Sequence, residues 1–367
     1  MIDQRRFSSE PEARSLVDRI HELVDGPVSL MEVCGTHTVA ISRFGLRHLM
    51  PSELKLLSGP GCPVCVTPQS DIDRAIALAR APGVVVTTFG DMMRVPGSSS
   101  SLERERAEGA DVRIVYSPLE AIDVASAEPD KEVVFLGVGF ETTSPTVAAT
   151  VLAAADEGAT NLSVLPMFKL VPPALHMLAE LPGRALDGFI CPGHVSTIIG
   201  TDAYAPIVER HNMPCVVVGF EPLDILAGVV MLLEQVRAVR AGGVARVENE
   251  YGRAVSGRGN RRAQEVLSRV FDVDDSEWRE IGSIEQSGYR FSDEFENYDA
   301  RARLDVEVEE AVEPTGCICG EIMLGTKLPT DCPLFATRCV PRDPVGPCMV
   351  SSEGSCAAFY KYERRKT

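Results

Sequence analysis

The sequence predicts an α/β protein: two similar parallel-sheet α/β domains followed by a Cys-rich domain. Three observations carry this. Short apolar, β-branched runs alternate with helical stretches between residues 28 and 240, the pattern of strands buried on both faces and joined by crossover helices. The alternation starts again near residue 126, which predicts a repeated unit. Six of the eleven cysteines, Cys317, Cys319, Cys332, Cys339, Cys348 and Cys356, fall in the last 51 residues.

Taken in order, residues 9–25 (SEPEARSLVDRIHELVD) read as an amphipathic helix within an N-terminal stretch, 1–27. Ser9 is its expected N-cap, with Leu16, Ile20 and Leu23 at helical spacing. In the first α/β domain, 28–125, VSLMEV, LKLLSG, GVVVTTFG and VRIVYS read as strands buried on both faces, with a helix over 70–81. In the second, 126–240, EVVFLGVGFE, LSVLPMF, GFICPGH and CVVVGFEP read as strands, with helices over 145–156 and 173–180. From 241 the composition changes. Residues 271–313 carry 15 Asp/Glu against four Arg, read as a solvated acidic surface or linker. Residues 314–356 are dense in Cys, Pro and Gly and too poor in apolar residues to fold by core burial alone, so a bound metal or cluster is expected to hold them together.

At 367 residues the chain is long enough for two or three domains, and its 45% hydrophobic content fits a globular protein. A net charge of −17 argues against a general nucleic-acid binder. The longest apolar stretch, ILAGVVMLLEQV, is too short to span a bilayer, and MIDQRRFSSE lacks the apolar core of a secretory signal. A cytoplasmic location, with reduced thiols, is expected. There, eleven cysteines point to metal or redox chemistry rather than a disulfide framework.

The chemistry-bearing residues sit in short motifs at strand ends, where open parallel sheets bind ligands. In MEVCGTHT, Cys34 and His37 are either a nucleophile pair or a metal ligand with a supporting imidazole. In GPGCPVC, Cys62 and Cys65 have the spacing of a reversible disulfide, and redox function or soft-metal ligation is expected of them. Pro63 and Pro68 predict a loop there rather than a helix starting at Cys62, and the strand-end position predicts accessible thiols. FGDMMRVPGSSS, GFETTSP and CPGHVSTIIG deliver Asp91, Arg94, Glu141, Thr142, Thr143 and His194 to what reads as one cleft. The terminal cysteines, as C-x12-C-x6-C-x16-C from Cys319 or C-x14-C-x6-C-x16-C from Cys317, match neither a zinc ribbon nor a bacterial ferredoxin. Four thiolates on Pro/Gly-shaped loops suit a cubane iron–sulfur cluster ahead of structural zinc, and make this an iron–sulfur domain. Roles for Cys191, Cys215 and Cys348 stay open.

Together these motifs, from residue 31 to 362, resemble the HypD family, which assists assembly of the Fe(CN)2CO part of the nickel–iron hydrogenase active site. The resemblance implies two related α/β domains and a third carrying a [4Fe–4S] cluster on Cys317 or Cys319 with Cys332, Cys339 and Cys356. It implies Cys34 as ligand of an iron carrying CN and CO, with His37 beside it, Cys62 and Cys65 as a redox-active pair, and Glu141 and His194 as cleft residues. The implied partners are a small maturation chaperone of the HypC type, which adds its own N-terminal cysteine, and a cyanide-donating protein of the HypE type. The rival reading is an iron–sulfur thiol-disulfide oxidoreductase resembling ferredoxin:thioredoxin reductase, which has no use for Cys34 with His37. A Cys-nucleophile hydrolase or transferase is weaker still, since no full triad can be assembled.

Overall fold

Strands form where β-branched and apolar residues run without interruption. In the computed structural model, which describes residues 10–181 and 186–364, β1 (Val28–Glu32), β2 (Leu54–Ser58), β3 (Val84–Thr88), β4 (Val112–Ile114), β5 (Glu132–Gly139), β6 (Leu162–Phe168), β7 (Gly188–Pro192) and β8 (Cys215–Val218) occupy the expected runs. The short β9 (Val247–Asn249) follows. All pairings among these nine are parallel, as the sequence predicts. Helices Glu10–Leu23, Gln69–Arg80, Ser144–Glu157 and Val171–Glu180 match the predicted ones; Ser9 lies outside the described residues. One run departs from expectation. VRIVYS yields only the edge strand β4, with Ile114 40% and Tyr116 90% exposed, so it is not buried on both faces.

The strands divide between two sheets differently from the expected 28–125 and 126–240. One sheet has the order β2-β1-β7-β8-β9, the other β4-β3-β5-β6. The first is therefore built from both ends of the α/β region, and the second from the chain between them. The expected boundary at 125/126 corresponds to no break in pairing, because β3 pairs with β5 across it. What repeats is the strand order: in each sheet the second strand flanks the first on one side and later strands add on the other. That order leaves a topological switch point in each sheet, between β1 and β7 and between β3 and β5.

Beyond β9, the acidic stretch is not a plain linker. Phe271–Trp278 (β10) and Gly282–Phe291 (β11) form an antiparallel hairpin, with Phe271, Trp278, Ile284 and Phe291 buried beneath an acidic outer face. Two arginines of the stretch reach the parallel-sheet region: Arg301 bonds Asp71 at 2.8 Å and Arg303 bonds Glu132 at 2.8 Å. They strap the segment across the parallel sheets.

Where β1 and β2 end side by side, the chain after β2 crosses over the end of β1. Gly59 N–H donates to Glu32 O at 2.7 Å, and Gly35 N–H to Gly61 O at 2.8 Å. A Cβ on Gly61 would lie 2.1 Å from Cys34 N and 2.4 Å from Val33 C. Both neighbours are backbone and neither can swing away. Gly61→Ala should therefore destabilise the protein by more than about 2 kcal/mol in denaturant unfolding. Gly26→Ala, where an added Cβ meets nothing within 4 Å, should stay within about 0.5 kcal/mol. Equal midpoints for the two variants would refute this close approach.

Candidate functional site: three sulfur groups at the sheet ends

Cys34 leaves β1 and serves as N-cap of the helix Gly35–Arg43. Its thiol is half-buried. Burial pushes it up to about 12, against the backbone N–H groups of His37 and Thr36, which point at the sulfur and favour thiolate, while Glu353 and Glu32 oppose ionisation. Glu32 is wholly buried beneath, accepting the Cys34 N–H at 2.9 Å and the Thr38 hydroxyl. Sequence reasoning passed over this carboxylate although it lies within MEVCGTHT.

His37 does not simply face a pocket with Cys34. Its ring is fully buried, bonds Gly219 O through Nε2 at 2.8 Å, and stacks on Phe220 at 4.7 Å. Burial pulls it down to about 4, so it is neutral, and its Nδ1 has no partner among the described residues. His194, after β7, also stacks on Phe220, at 3.8 Å. Phe220 thus joins two histidines from separate strand ends at the β1/β7 switch point. Its signal was an apolar run ending in Gly-Phe-Glu, read only as a strand.

Cys62 and Cys65 form a disulfide, Cα–Cα 5.2 Å. Two expectations fail here. Cys62 is the N-cap of a one-turn helix, Pro63–Val66, and its Sγ accepts the Cys65 N–H at 3.2 Å. Pro63 fits because the first helical position needs no N–H donor. Nor are the sulfurs accessible: Cys62 is 5% and Cys65 1% exposed, because Pro63–Val66 is packed between β5 and the helix Pro347–Val350 of the Cys-rich segment.

That segment also covers Cys34. Thr36 bonds Glu353 at 2.9 Å, and a Cβ on Gly35 would lie 2.4 Å from that of Glu353. Ser351 approaches Asp91 at 3.5 Å, and Arg94 bonds Pro341 O. Asp91 and Arg94 are thus brought to the group, although their loop was expected only to line a cleft. Glu141 stands apart, at the β3/β5 switch point: 2% exposed, Oε1 accepting Val171 N–H at 2.9 Å, Oε2 without a partner among the described residues, and lifted by burial to about 7. Thr143 caps the helix Ser144–Glu157 through its backbone position, and Thr142 is exposed. These two have turn roles.

All six terminal cysteines, including Cys348, line one small cavity with Ile322, Leu334, Phe335, Gly346 and Met349. A Cβ on Gly346 would lie 2.7 Å from Cys317 Sγ. Burial first, then the charges of Cys319, Cys317, Cys339 and Cys332, push the Cys356 thiol up, so several thiolates can coexist here only beside a cation. Among the described residues no three Cys, His, Asp or Glu side chains close on a single ion. Six thiols spread around an apolar wall suit a multi-iron cluster, whose thiolates each bind a different iron. No described helix is long and apolar enough to cross a membrane.

The HypD family model, described as the hydrogenase formation hypA family, matches residues 11–363. The chain is similar to the hydrogenase maturation factor HypD of Azotobacter vinelandii, 46% identical over 369 residues, covering 98% of this chain and 96% of that protein. It is similar to HypD of Escherichia coli K12, 44% identical over 355 residues (96% and 94%). HypD of Cupriavidus necator is 45% identical over 346 residues (92% and 90%). The chain belongs to the HypD family of hydrogenase maturation factors.

Proposed function

We propose that this protein is a scaffold on which the Fe(CN)2CO unit of a nickel–iron hydrogenase is assembled. One observation supports it most: Cys34, the Cys62–Cys65 disulfide and the six-cysteine cavity are packed through one another, with two neutral histidines beside them. The iron is cargo. Cys34 offers it one soft thiolate at a helix N-terminus, and a small chaperone of the HypC type supplies the cysteine that one chain lacks. A cyanide-donating protein of the HypE type docks on that complex. His37, neutral and buried, orients the site without competing as a cation.

The Cys-rich segment is read as the third part of the scaffold, holding a [4Fe–4S] cluster on four of Cys317, Cys319, Cys332, Cys339, Cys348 and Cys356. When bound, the cluster supplies one-electron redox capacity. The dithiol Cys62/Cys65 gives up two electrons and two protons on forming its disulfide, and the packing of Pro63–Val66 against Pro347–Val350 supports reading this exchange together with the cluster. That same contact favours the reductase reading, so the decisive test lies at Cys34.

Cys34→Ser replaces a soft thiolate with a hydroxyl that stays protonated near neutral pH. The chain co-purified with its chaperone should show cyanide and CO infrared bands, and the variant should lose them while keeping its iron–sulfur absorbance. Full hydrogenase maturation by Cys34→Ser would return the reductase to first place.

Cys332→Ala or Cys339→Ala should lose iron from anaerobically prepared protein and expose the segment after 314 to protease. Iron retained at the wild-type level, about four per chain for a cubane, would remove both from the ligand set.

Glu141 supplies a pH test. Its folded pKa, about 7, lies above the ordinary carboxylate value. The folded state therefore binds the extra proton between the two values, and stability falls as pH rises through 7. Glu141→Gln should raise the melting temperature at pH 8 and leave it nearly unchanged at pH 5. An equal effect at both would show that the carboxyl has no such burden.

A further inference from the structure

The β10–β11 hairpin ends between two sulfur centres. Its tip is Arg279, Glu280 and Ile281, with Glu280 in the left-handed region at φ 55°. Trp278 anchors it, buried, with Nε1 donating to Ser287 Oγ at 2.8 Å. Arg279 is only 1% exposed. Its backbone N–H donates to Val66 O at 2.9 Å, at the end of the turn that carries Cys65. Its side chain bonds Gln69 through Nη2, and Glu313 Oε2 through Nε at 3.0 Å and Nη2 at 2.8 Å. Nη1 is buried and has no hydrogen-bond partner among the described residues.

A buried donor left unpaired costs about 1–3 kcal/mol, and more on a cation, so a retained one calls for an anionic group facing it. Val66 ends the turn that packs on Pro347–Val350, the helix carrying Cys348 of the six-cysteine cavity, and the neighbouring Glu280 accepts the Gly320 N–H through Oε2, beside Cys319 of the same wall. The only ion-pair partner of Arg279 among the described residues, Glu313, is 39% exposed and lies on the acidic strap.

We propose that Arg279 is a positioning residue that ties the CPVC turn to the Cys-rich cavity and presents an unpaired cationic donor to the thiolate–metal group held there, setting how readily that group accepts an electron. This rests on reading the cavity as an iron–sulfur site. Reduction adds one electron and no proton, and a facing cation stabilises the added negative charge. Removing the cation lowers the potential; removing the carboxylate that neutralises it raises the potential.

The test is a dithionite titration of the full chain, reconstituted anaerobically with iron and sulfide and followed by electron paramagnetic resonance. Arg279→Gln should shift the reduction equilibrium roughly tenfold toward the oxidised state, about 59 mV for one electron. Glu313→Gln should shift it the other way, and Arg279→Lys should stay near wild type. A merely structural role does not give opposite signs. Should Arg279→Gln fail to fold, the upward shift in Glu313→Gln carries the proposal and its absence overturns it. Equal potentials in all variants, or shifts of one sign, overturn this inference alone. A wild-type chain that takes up no iron and sulfide overturns the cavity reading with it.

Discussion

The arrangement of sulfur in this protein depends on one close backbone crossing, that of Gly59–Gly61 over the end of β1. No side chain fits between Gly61 and Cys34, so the loops carrying Cys34 and Cys62 are locked together by their own peptide groups. Gly35 repeats the device on the other side, admitting Glu353 where a Cβ would stand. Two segments close in sequence thereby meet a third, 317 residues further on from Thr36 to Glu353. A metal centre added to such a frame meets donors whose positions are already set by backbone packing, which lowers the ordering cost of binding.

The strands were legible because their signal is local. VVVTT and LSVLPMF could hardly be anything but fully buried strands, and every residue of both is buried. Which sheet each strand joins was not legible. β1 pairs with β7 across more than 150 residues, and local apolar patterning says nothing of a partner that far away. The hairpin was missed for another reason: one face is solvated and acidic, so its alternation was masked by charge density. Four of its buried apolar residues, Phe271, Trp278, Ile284 and Phe291, were the available sign. At the site, the residue types were legible and their roles less so. Cys34 and the CxxC sit where strands end, as read, but the disulfide is buried because a helix from the far end of the chain lies on it, a tertiary fact no spacing encodes. Cys348 looked supernumerary in the C-x12-C-x6-C-x16-C scheme and stands in the same cavity wall as the others.

Burial shifts the ionisable groups around these centres in one direction, toward the neutral form. His37 is held down near 4, Glu141 up near 7, the Cys34 thiol up near 12, and the buried Lys169 down near 8. Desolvation is the first cause in each. A thiol in this state is a poor nucleophile and slow to oxidise, since thiolate is the reactive form. It becomes a ligand only when a cation supplies the charge that the surroundings withhold, and binding then releases its proton. This favours soft-metal capture over unassisted thiol chemistry at Cys34.

The shared strand order gives the fold two switch-point crevices, and their residue types differ. The one between β1 and β7 holds Cys34 and, around Phe220, His37 and His194; the one between β3 and β5 is flanked by Asp91 and Glu141. A thiol and two imidazoles thus meet at one crevice, over the buried Glu32 carboxylate, while the other is flanked by carboxylates alone. The Cys-rich segment touches both, through Glu353 on Thr36 and Ser351 beside Asp91. Glu353 and Ser351 lie only a few residues before Cys356 in the chain, so any change that moves the cavity wall moves the cover of Cys34 as well. A thiol site and a cysteine-lined cavity built this way share their mechanical state even without a shared ligand, which is the property the proposed assembly scaffold needs and a simple electron carrier does not.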